Sequence, residues 1–324
     1  VRDFDQAKLR VVSRKNRCPI CEKPDWCGVT DDGVLAICMR VADGAATEAK
    51  NGGFVHVLKP SERAFTPKPV QYNQPEKPNL APVDRRDAVY TAFLESLTLT
   101  KPHSGNLLSR GLSDAEAAHN LYASVPNKKT AATVCAELAG RFDLTGVPGF
   151  YQESGCWQLA VWSSGFFVPV RDVQGRIQAC QIRFDEGDVR YRWLSSKERK
   201  CGASSGTPIH FARPWRVAST GEAIITEGAL KADAIAESLD VCVVAVAGVS
   251  CFNDRFGEWL REQLPMLGYG LIGFDADWHS KPDVERAMLR LMVSVESAGL
   301  IGSLLDWSAK KGLDDLLSVE VGVC

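Results

Sequence analysis

The stretch AIITEGALKADAIAESLDVCVVAVAG, residues 223–248, decides how the second half of the chain folds. AIIT (223–226) is a short run without polar alternation, GALKADAIAESL carries helical spacing, and VCVVAVAG is again a continuous apolar run. A strand that is apolar on both faces must be covered on both faces. The rhythm continues: CFNDRFGEWLREQL reads as helix, GLIGF as strand, PDVERAMLRLMVSVESAG as helix and LIGSLLDW as strand. Repeated strand-helix units predict a parallel sheet sandwiched between helices. Ligands of such sheets gather at the carboxyl ends of the strands. Glu227 stands directly after AIIT, and Asp275 and Asp277 close GLIGF. Residues two apart in extended chain project to one side, so the two aspartates aim together. Oxygen donors without sulfur suit a hard cation, and Mg²⁺ is the expected one. Helix dipoles also favour a carboxylate at a helix start, and turns favour aspartate. Joint placement on separate strands is what points to a site.

Working back from there, residues 164–216 hold more Arg and Lys than Asp and Glu, although the whole chain of 324 residues has a net charge of only −2. GCWQLAVW, GFFVPVRDVQGRIQACQIRF and VRYRWLSS alternate and are broken by turn residues, which predicts antiparallel strands. A basic module followed by an acidic one fits a protein that holds a polyanion beside metal cations. Residues 84 to about 145 are helical in pattern, with Ser113 and Glu116 spaced as a capping box. KPSERAFTPKPVQYNQPEKPNLAPV (59–83) carries six prolines and no apolar period, and reads as an extended tether.

Ahead of the tether, CPICEKPDWCGVTDDGVLAICMR opens with Cys18-x₂-Cys21, a knuckle that lets two thiolates share a tetrahedral zinc. Cys38 follows the strand GVLAI, but Val41 stands where a second knuckle would put its partner. Cys27 or His56 must be the fourth ligand, with Cys27 preferred because it keeps the site all-sulfur. Arg14, Lys15, Arg17, Lys23 and Arg40 and the aromatic Trp26 surround the knuckle.

IITEGALKADAIA, VVAVAGVS and GFDAD together resemble the Toprim domain shared by DnaG-type primases, topoisomerases and some nucleases: glutamate after the first strand, a glycine turn after the second, DxD after the third. KGLDDLL (311–317) is similar to the late acidic motif of primase Toprim domains and would bring Asp314 or Asp315 near the metals. VPVRDVQGRIQACQIRF followed by RYRWLSS resembles the basic half of the DnaG polymerase core. The match spans about residues 150–320 and is closest in flavour to primase-like replication proteins of plasmids and phages. The resemblance implies Glu227 as general base or acid at a sugar hydroxyl and Asp275 and Asp277 as metal holders. It also implies Arg171, Arg183 and Arg192 on template or nucleotide phosphates, with Lys231 counted among these basic contacts. Lys231 departs from the family, which usually has an acid there; Asp233 is the acid that could compensate. SSGTPIHF (204–211) resembles a substrate-proximal loop whose serines and Gly206 could cradle phosphate.

The expected architecture is an α/β multidomain chain: a zinc ribbon (1–58), a Pro-rich linker (59–83), a helical and basic β primase subdomain (84–220) and a Toprim domain with a parallel sheet (221–324). The expected activity is primase: short RNA primers made from NTPs on a single-stranded DNA template with Mg²⁺ or Mn²⁺, a structural Zn²⁺, and a separate replicative helicase. Rival readings are a Toprim nuclease and a non-catalytic DNA-binding adaptor in replication or defence. No GxxxxGK[ST] loop supports helicase chemistry, and no tyrosine has the context of a topoisomerase nucleophile. With no apolar run long enough for a membrane span and no apolar signal core in VRDFDQAKLR, the expected location is cytoplasmic.

Overall fold

The structure, a computed structural model, describes residues 9–49, 53–58, 80–161, 163–187, 189–248, 251–275, 281–305 and 312–313. It falls into two compact units, Val1–Gln74 and Pro75–Cys324. Positions 59–79 of the expected tether lie outside the described residues.

In the first unit, β1 (Leu9–Val11), β2 (Gly28–Thr30), β3 (Leu35–Cys38), β4 (Thr47–Glu48) and β5 (Phe54–Val57) form one antiparallel sheet in the order β1-β2-β3-β5-β4. Asp32 sets the β2–β3 turn: its Oδ1 accepts from the Thr30 hydroxyl at 2.6 Å and from the Val34 N–H at 3.0 Å. The buried cluster here is Val12, Cys18, Cys27 and Cys38, so most of it is sulfur. A unit of this size cannot stand on so little apolar burial and needs a staple.

The second unit begins with α1 (Val83–Glu95), α2 (Lys101–Leu108), α3 (Asp114–His119), the two-residue strand β6 (Ala123–Ser124) and α4 (Lys128–Ala139). The capping signal is realised in half: the Ser113 hydroxyl accepts the Glu116 N–H at 3.2 Å, while the Glu116 carboxylate faces Arg213 at 3.7 Å. After the hairpin β7 (Phe150–Glu153) and β8 (Cys156–Leu159) come β9 (Gly165–Arg171), β10 (Ile177–Phe184) and β11 (Tyr191–Trp193). These pair antiparallel with β6 in the order β11-β10-β9-β6. One face of that sheet, with Phe167, Cys180, Ile182 and Phe184, packs on Val89, Tyr90, Phe93 and Leu94 of α1 and on Val134, Cys135 and Leu138 of α4. Phe93 meets the rings of Phe150 and Phe167 edge-on at 5.4 and 5.2 Å, a geometry that adds to the area these rings bury.

Beyond β12 (His210–Ala212) and the short helix α5 (Val217–Thr220) lies the predicted alternation: β13 (Glu222–Glu227), α6 (Ala229–Leu239), β14 (Cys242–Val246), α7 (Phe256–Gln263), β15 (Tyr269–Ile272), α8 (Pro282–Ser297) and β16 (Ile301–Leu304). The sheet order is β12-β14-β13-β15-β16, parallel throughout except for β12, which joins β14 antiparallel. One face carries α7 and α8, through Phe256, Leu260, Met288, Leu291 and Val295. The other carries α6, through Ala232, Ile235 and Ala236. Gly257 lets α7 approach α8, since a Cβ there would lie 2.1 Å from the Ser294 carbonyl oxygen.

Helix α6 ties the two sheets of this unit together. Its Ala229, Leu230 and Ala234 pack on Phe166, Val168, Val170 and Ala179 of the antiparallel sheet, opposite the face it offers to the parallel one. Apolar residues on both sides explain why the segment reads as helix without a clean polar stripe. Among the described residues no helix is long and apolar enough to cross a membrane.

Candidate active site

Strands β13 and β15 are parallel neighbours in the register Ile225↔Ile272, and the Gly273 N–H continues the pairing onto the Ile225 carbonyl at 2.9 Å. That register puts Glu227, the last residue of β13, beside the 274–275 step at the end of β15. Gly228 then turns the chain into α6 with φ +82, its N–H on the Val246 carbonyl at 2.9 Å. An L side chain rarely adopts that backbone, so glycine is needed at the turn. The fold thus brings Glu227 and Asp275 to one rim. Asp277, His279, Asp314 and Asp315 lie outside the described residues.

Between the two acids stands Lys231. Its Nζ donates to Asp275 Oδ1 and lies 4.0 Å from Glu227 Oε1. All three side chains are partly covered, at 16% exposure for Lys231, 28% for Glu227 and 20% for Asp275. A lysine in the first turn of a helix opposes the macrodipole, which favours anions there by about 0.3–1 kcal/mol. The lysine is therefore placed against local preference, and the two carboxylates are what compensate it. The carboxylate oxygens are suited in kind to a hard divalent ion, but the place between them already holds an ammonium.

Asp233 does not take the missing acid's place. It is buried two residues farther along α6 and its carboxylate is wholly engaged: Oδ2 accepts from the Tyr122 hydroxyl at 2.5 Å and Oδ1 from His210 Nε2 at 3.0 Å. His210 Nδ1 accepts the Arg171 N–H at 3.0 Å, which fixes the ring proton on Nε2. Burial, reinforced by the neighbouring Asp233, pushes the Tyr122 phenol far above its ordinary range, so it stays a donor. Nothing in the sequence pattern connects His210 with Asp233. The two are 23 residues apart, and only the antiparallel strand β12 brings them together.

The arginines expected at phosphate have the following surroundings. The Arg171 guanidinium is held by its own surroundings, on the Gly175 carbonyl at 2.8 Å and the Asn120 carbonyl at 3.3 Å. Arg183 pairs across the strands with Tyr191 and lies over the Phe166 ring at 5.5 Å, on the face of the sheet that meets α6. Arg192 pairs with Ile182, on the opposite face. The serine loop is also internally engaged: the Ser205 hydroxyl donates to the Leu194 carbonyl at 2.5 Å and the Gly206 N–H to Ser204 Oγ at 3.2 Å. His210 and Phe211, the last two residues of that stretch, begin the edge strand β12.

In the first unit the Sγ atoms of Cys18, Cys21, Cys27 and Cys38 all lie within 4.8 Å of one another. Tetrahedral zinc with Zn–S of about 2.3 Å requires sulfurs about 3.8 Å apart, and Cys21 and Cys27 stand 3.7 Å apart. The donor set fits zinc. His56 is turned away, its Nε2 on the Val41 carbonyl at 2.8 Å. Backbone N–H groups point at sulfur, Met39 to Cys27 at 3.4 Å and Val41 to Cys38 at 3.3 Å, so the second turn forms around one cysteine instead of two. Burial opposes ionisation of Cys21, yet hydrogen bonds from the Lys23 backbone and the other three thiols bring its pKa down to about 7. Burial pushes Cys27 up to about 12. Arg40 Nη1 lies 3.9 Å from Cys21 Sγ and 3.7 Å from Cys27 Sγ, and Nη2 pairs with Asp25 at 2.7 Å. Arg40 thus braces the sulfur cluster while its side chain stays partly exposed. Trp26, with φ +65, stands 78% exposed between Asp25 and Cys27.

With both sites described, comparison gives the fold a counterpart. The chain is similar to the zinc-binding and RNA polymerase domains of the Aquifex aeolicus primase, at 16% identity and a TM-score of 0.57, over 74% of this chain and 60% of that one. It is similar to the RNA polymerase domain of Mycobacterium tuberculosis primase DnaG, solved with a double-stranded DNA oligomer bearing a 6-nucleotide overhang, at 14% identity and a TM-score of 0.56, over 75% and 78%. A DNA primase domain from Pseudomonas aeruginosa aligns at 18% identity and a TM-score of 0.52, over 74% and 75%. The fold is like that of DnaG-type primase domains. The chain spans about 60% of the length of the Aquifex structure. A family model described as a domain of unknown function (DUF3854) matches residues 215–322, which begin just before β13 and include the rim. No curated protein matches in sequence.

Proposed function

We propose that the chain is a DNA primase whose second unit ends in a Toprim domain, nearest in character to primase-like replication proteins of plasmids and phages. It makes short RNA primers from NTPs on single-stranded DNA. The observation that carries this reading is the meeting of Glu227 and Asp275 at the carboxyl ends of adjacent parallel strands, in a chain with a primase-like fold. Glu227 would hold the proton of the attacking sugar hydroxyl. Asp275, with Asp277 and Asp314, would hold Mg²⁺ or Mn²⁺, which when bound supplies charge neutralisation at the transferring phosphate. Arg183 would meet phosphate on the α6 side, with its guanidinium lying over the Phe166 ring. Arg192 would serve the other face, and Arg171, anchored on the Asn120 and Gly175 carbonyls, would offer its remaining N–H donors to phosphate.

Cys18, Cys21, Cys27 and Cys38 hold Zn²⁺, and the exposed Trp26 offers a stacking surface for template bases. The domain division follows the four segments read from the sequence. The working partners are single-stranded DNA, NTPs and a separate helicase in the cytoplasm.

The test is primer synthesis with labelled NTPs, a mixed-sequence single-stranded template and Mg²⁺ or Mn²⁺. Short template-dependent products that vanish in Glu227→Ala and Asp275→Ala are the expected result. Shortening of the template in place of synthesis would make the chain a nuclease. Lys231, which puts a cation on Asp275, favours a second reading as a DNA-binding platform without catalysis. DNA binding with neither synthesis nor cleavage would establish that one.

A further inference from the structure

We propose that Lys231 is the resident cation of the acidic rim: its ammonium takes the place between Glu227 and Asp275 that a divalent ion would otherwise fill, so the chain binds one divalent ion fewer than its carboxylates could hold. This rests on reading the rim as the catalytic site.

Three observations carry the inference. The first is contact, because Nζ is hydrogen-bonded to Asp275 Oδ1 and stands 4.0 Å from Glu227 Oε1, within ion-pair reach of both strands' acids. The second is position: Lys231 is in the first turn of α6, where a cation is disfavoured by the helix and an acid would be welcome. A side chain kept there against its own helix is held by what lies in front of it. The third is rigidity. Ala229, Leu230 and Ala234 fix α6 to the antiparallel sheet, and Ala232, Ile235 and Ala236 fix it to the parallel one. The lysine stem thus projects from a helix clamped on two sides and keeps its ammonium at the rim.

An ammonium and a divalent ion differ in what they do with the same two carboxylates. The ammonium offers three donors and one charge but no coordination positions. It can neutralise Asp275, keep the rim assembled when no nucleotide is present, and donate to a phosphate oxygen that approaches. It cannot bind water or a sugar oxygen as a ligand, so activation of the hydroxyl by a metal at that position is lost and falls to Glu227.

Metal stoichiometry tests the inference without reference to activity. The zinc-loaded full chain is titrated with Mn²⁺, and the electron paramagnetic resonance of free Mn²⁺ is followed for the wild type and three variants. Lys231→Gln should bind one more Mn²⁺ per chain than the wild type, with at least a tenfold rise in affinity at that added position. Lys231→Arg keeps the charge and should match the wild type. Lys231→Gln combined with Asp275→Asn should lose the gain. If the glutamine variant does not fold, Lys231→Met, which keeps the stem and removes the charge, should show the same gain. Equal stoichiometry and affinity in the wild type and in the uncharged variant would overturn the inference, as would a gained ion in Lys231→Arg. Primer synthesis by the same proteins separates the two readings. Synthesis with no gained Mn²⁺ overturns the resident cation alone, and a gained Mn²⁺ without synthesis overturns the primase alone.

Discussion

Among the described residues the sulfur cluster and the acidic rim both offer metal-type donors, and they are built on opposite plans. The sulfur cluster is closed: four thiols face one another, Cys18, Cys27 and Cys38 are buried, backbone N–H groups support two of the sulfurs, and an arginine covers the side. The acidic rim is half open, its carboxylates sit at strand ends, and its central place is taken by a lysine from a helix. Closed soft-donor sites hold structure together, whereas open oxygen sites leave room for substrate. The difference also appears in what surrounds each. The first unit has little core besides its cysteines. The rim stands on a sheet whose two faces are filled by separate apolar clusters, so it is not needed for folding. One cluster should govern stability and the other activity.

Zinc removal is the largest test of that division. A strong chelator should abolish the strand signal of the first unit, because binding free energy in such sites is folding free energy of about 10 kcal/mol or more. The helical circular dichroism should remain, since every described helix belongs to the second unit. A sheet that survives chelation would break the comparison.

Next in size is Asp275→Ala, expected to lower primer synthesis at least about 10³-fold, or ~4 kcal/mol, while urea unfolding shifts by less than about 1 kcal/mol. The contrast is sharpened by Asp233→Ala, a few residues from Glu227. Asp233 accepts from Tyr122 and His210 in the interior, and its loss strands two buried donors. Stability of the second unit should fall by about 2–4 kcal/mol, read from the same urea curves. If Asp233→Ala costs no stability, or Asp275→Ala costs as much as Asp233→Ala should, buried and rim carboxylates are not divided as described.

Much of this was readable in the chain because two physical signals are local. A parallel strand covered on both faces must be continuously apolar, so AIIT, VCVVAVAG and GLIGF stand out, and the acids after AIIT and GLIGF mark the rim. Thiols crowded into 18–38 have few other uses in a small sheet. What was not readable depends on register or on distance along the chain. Strands as short as β6 and β12 carry too few residues for a period to show. Arg183 and Arg192 fall on opposite faces because Gln181, Ile182 and Arg183 pair with Trp193, Arg192 and Tyr191. A slip of one residue would exchange the faces, and the intervening loop composition does not set it. Lys231 was visible as a departure from the motif that the sequence resembles, but its partner Asp275 is 44 positions away. Asp233 looked like a spare acid in the sequence and proved to be committed inward, since its partners come from β12 and from the segment before β6.

The smallest expected effect concerns Arg40, and it asks how far the closed plan extends beyond the four sulfurs. Zinc bound by four thiolates carries a net charge of −2, and the nearest cation among the described residues that approaches these sulfurs is the Arg40 guanidinium. Burial opposes its charge, yet Cys21 and Asp25 hold its pKa above the ordinary guanidinium value. Asp25 fixes the fork through Nη2 on its carboxylate and Nη1 on its carbonyl, at 2.7 and 3.0 Å. Arg40→Ala should therefore weaken zinc binding by about 10–100-fold, or ~1.4–2.7 kcal/mol, measured by competition with a chromogenic chelator. Arg40→Lys should recover part of the loss, because a point charge restores neutralisation but not the fork that Asp25 orients. Unchanged zinc affinity in Arg40→Ala would make the Arg40–Asp25 contact a surface ion pair of little consequence. The closed plan would then end at the sulfurs and their backbone donors.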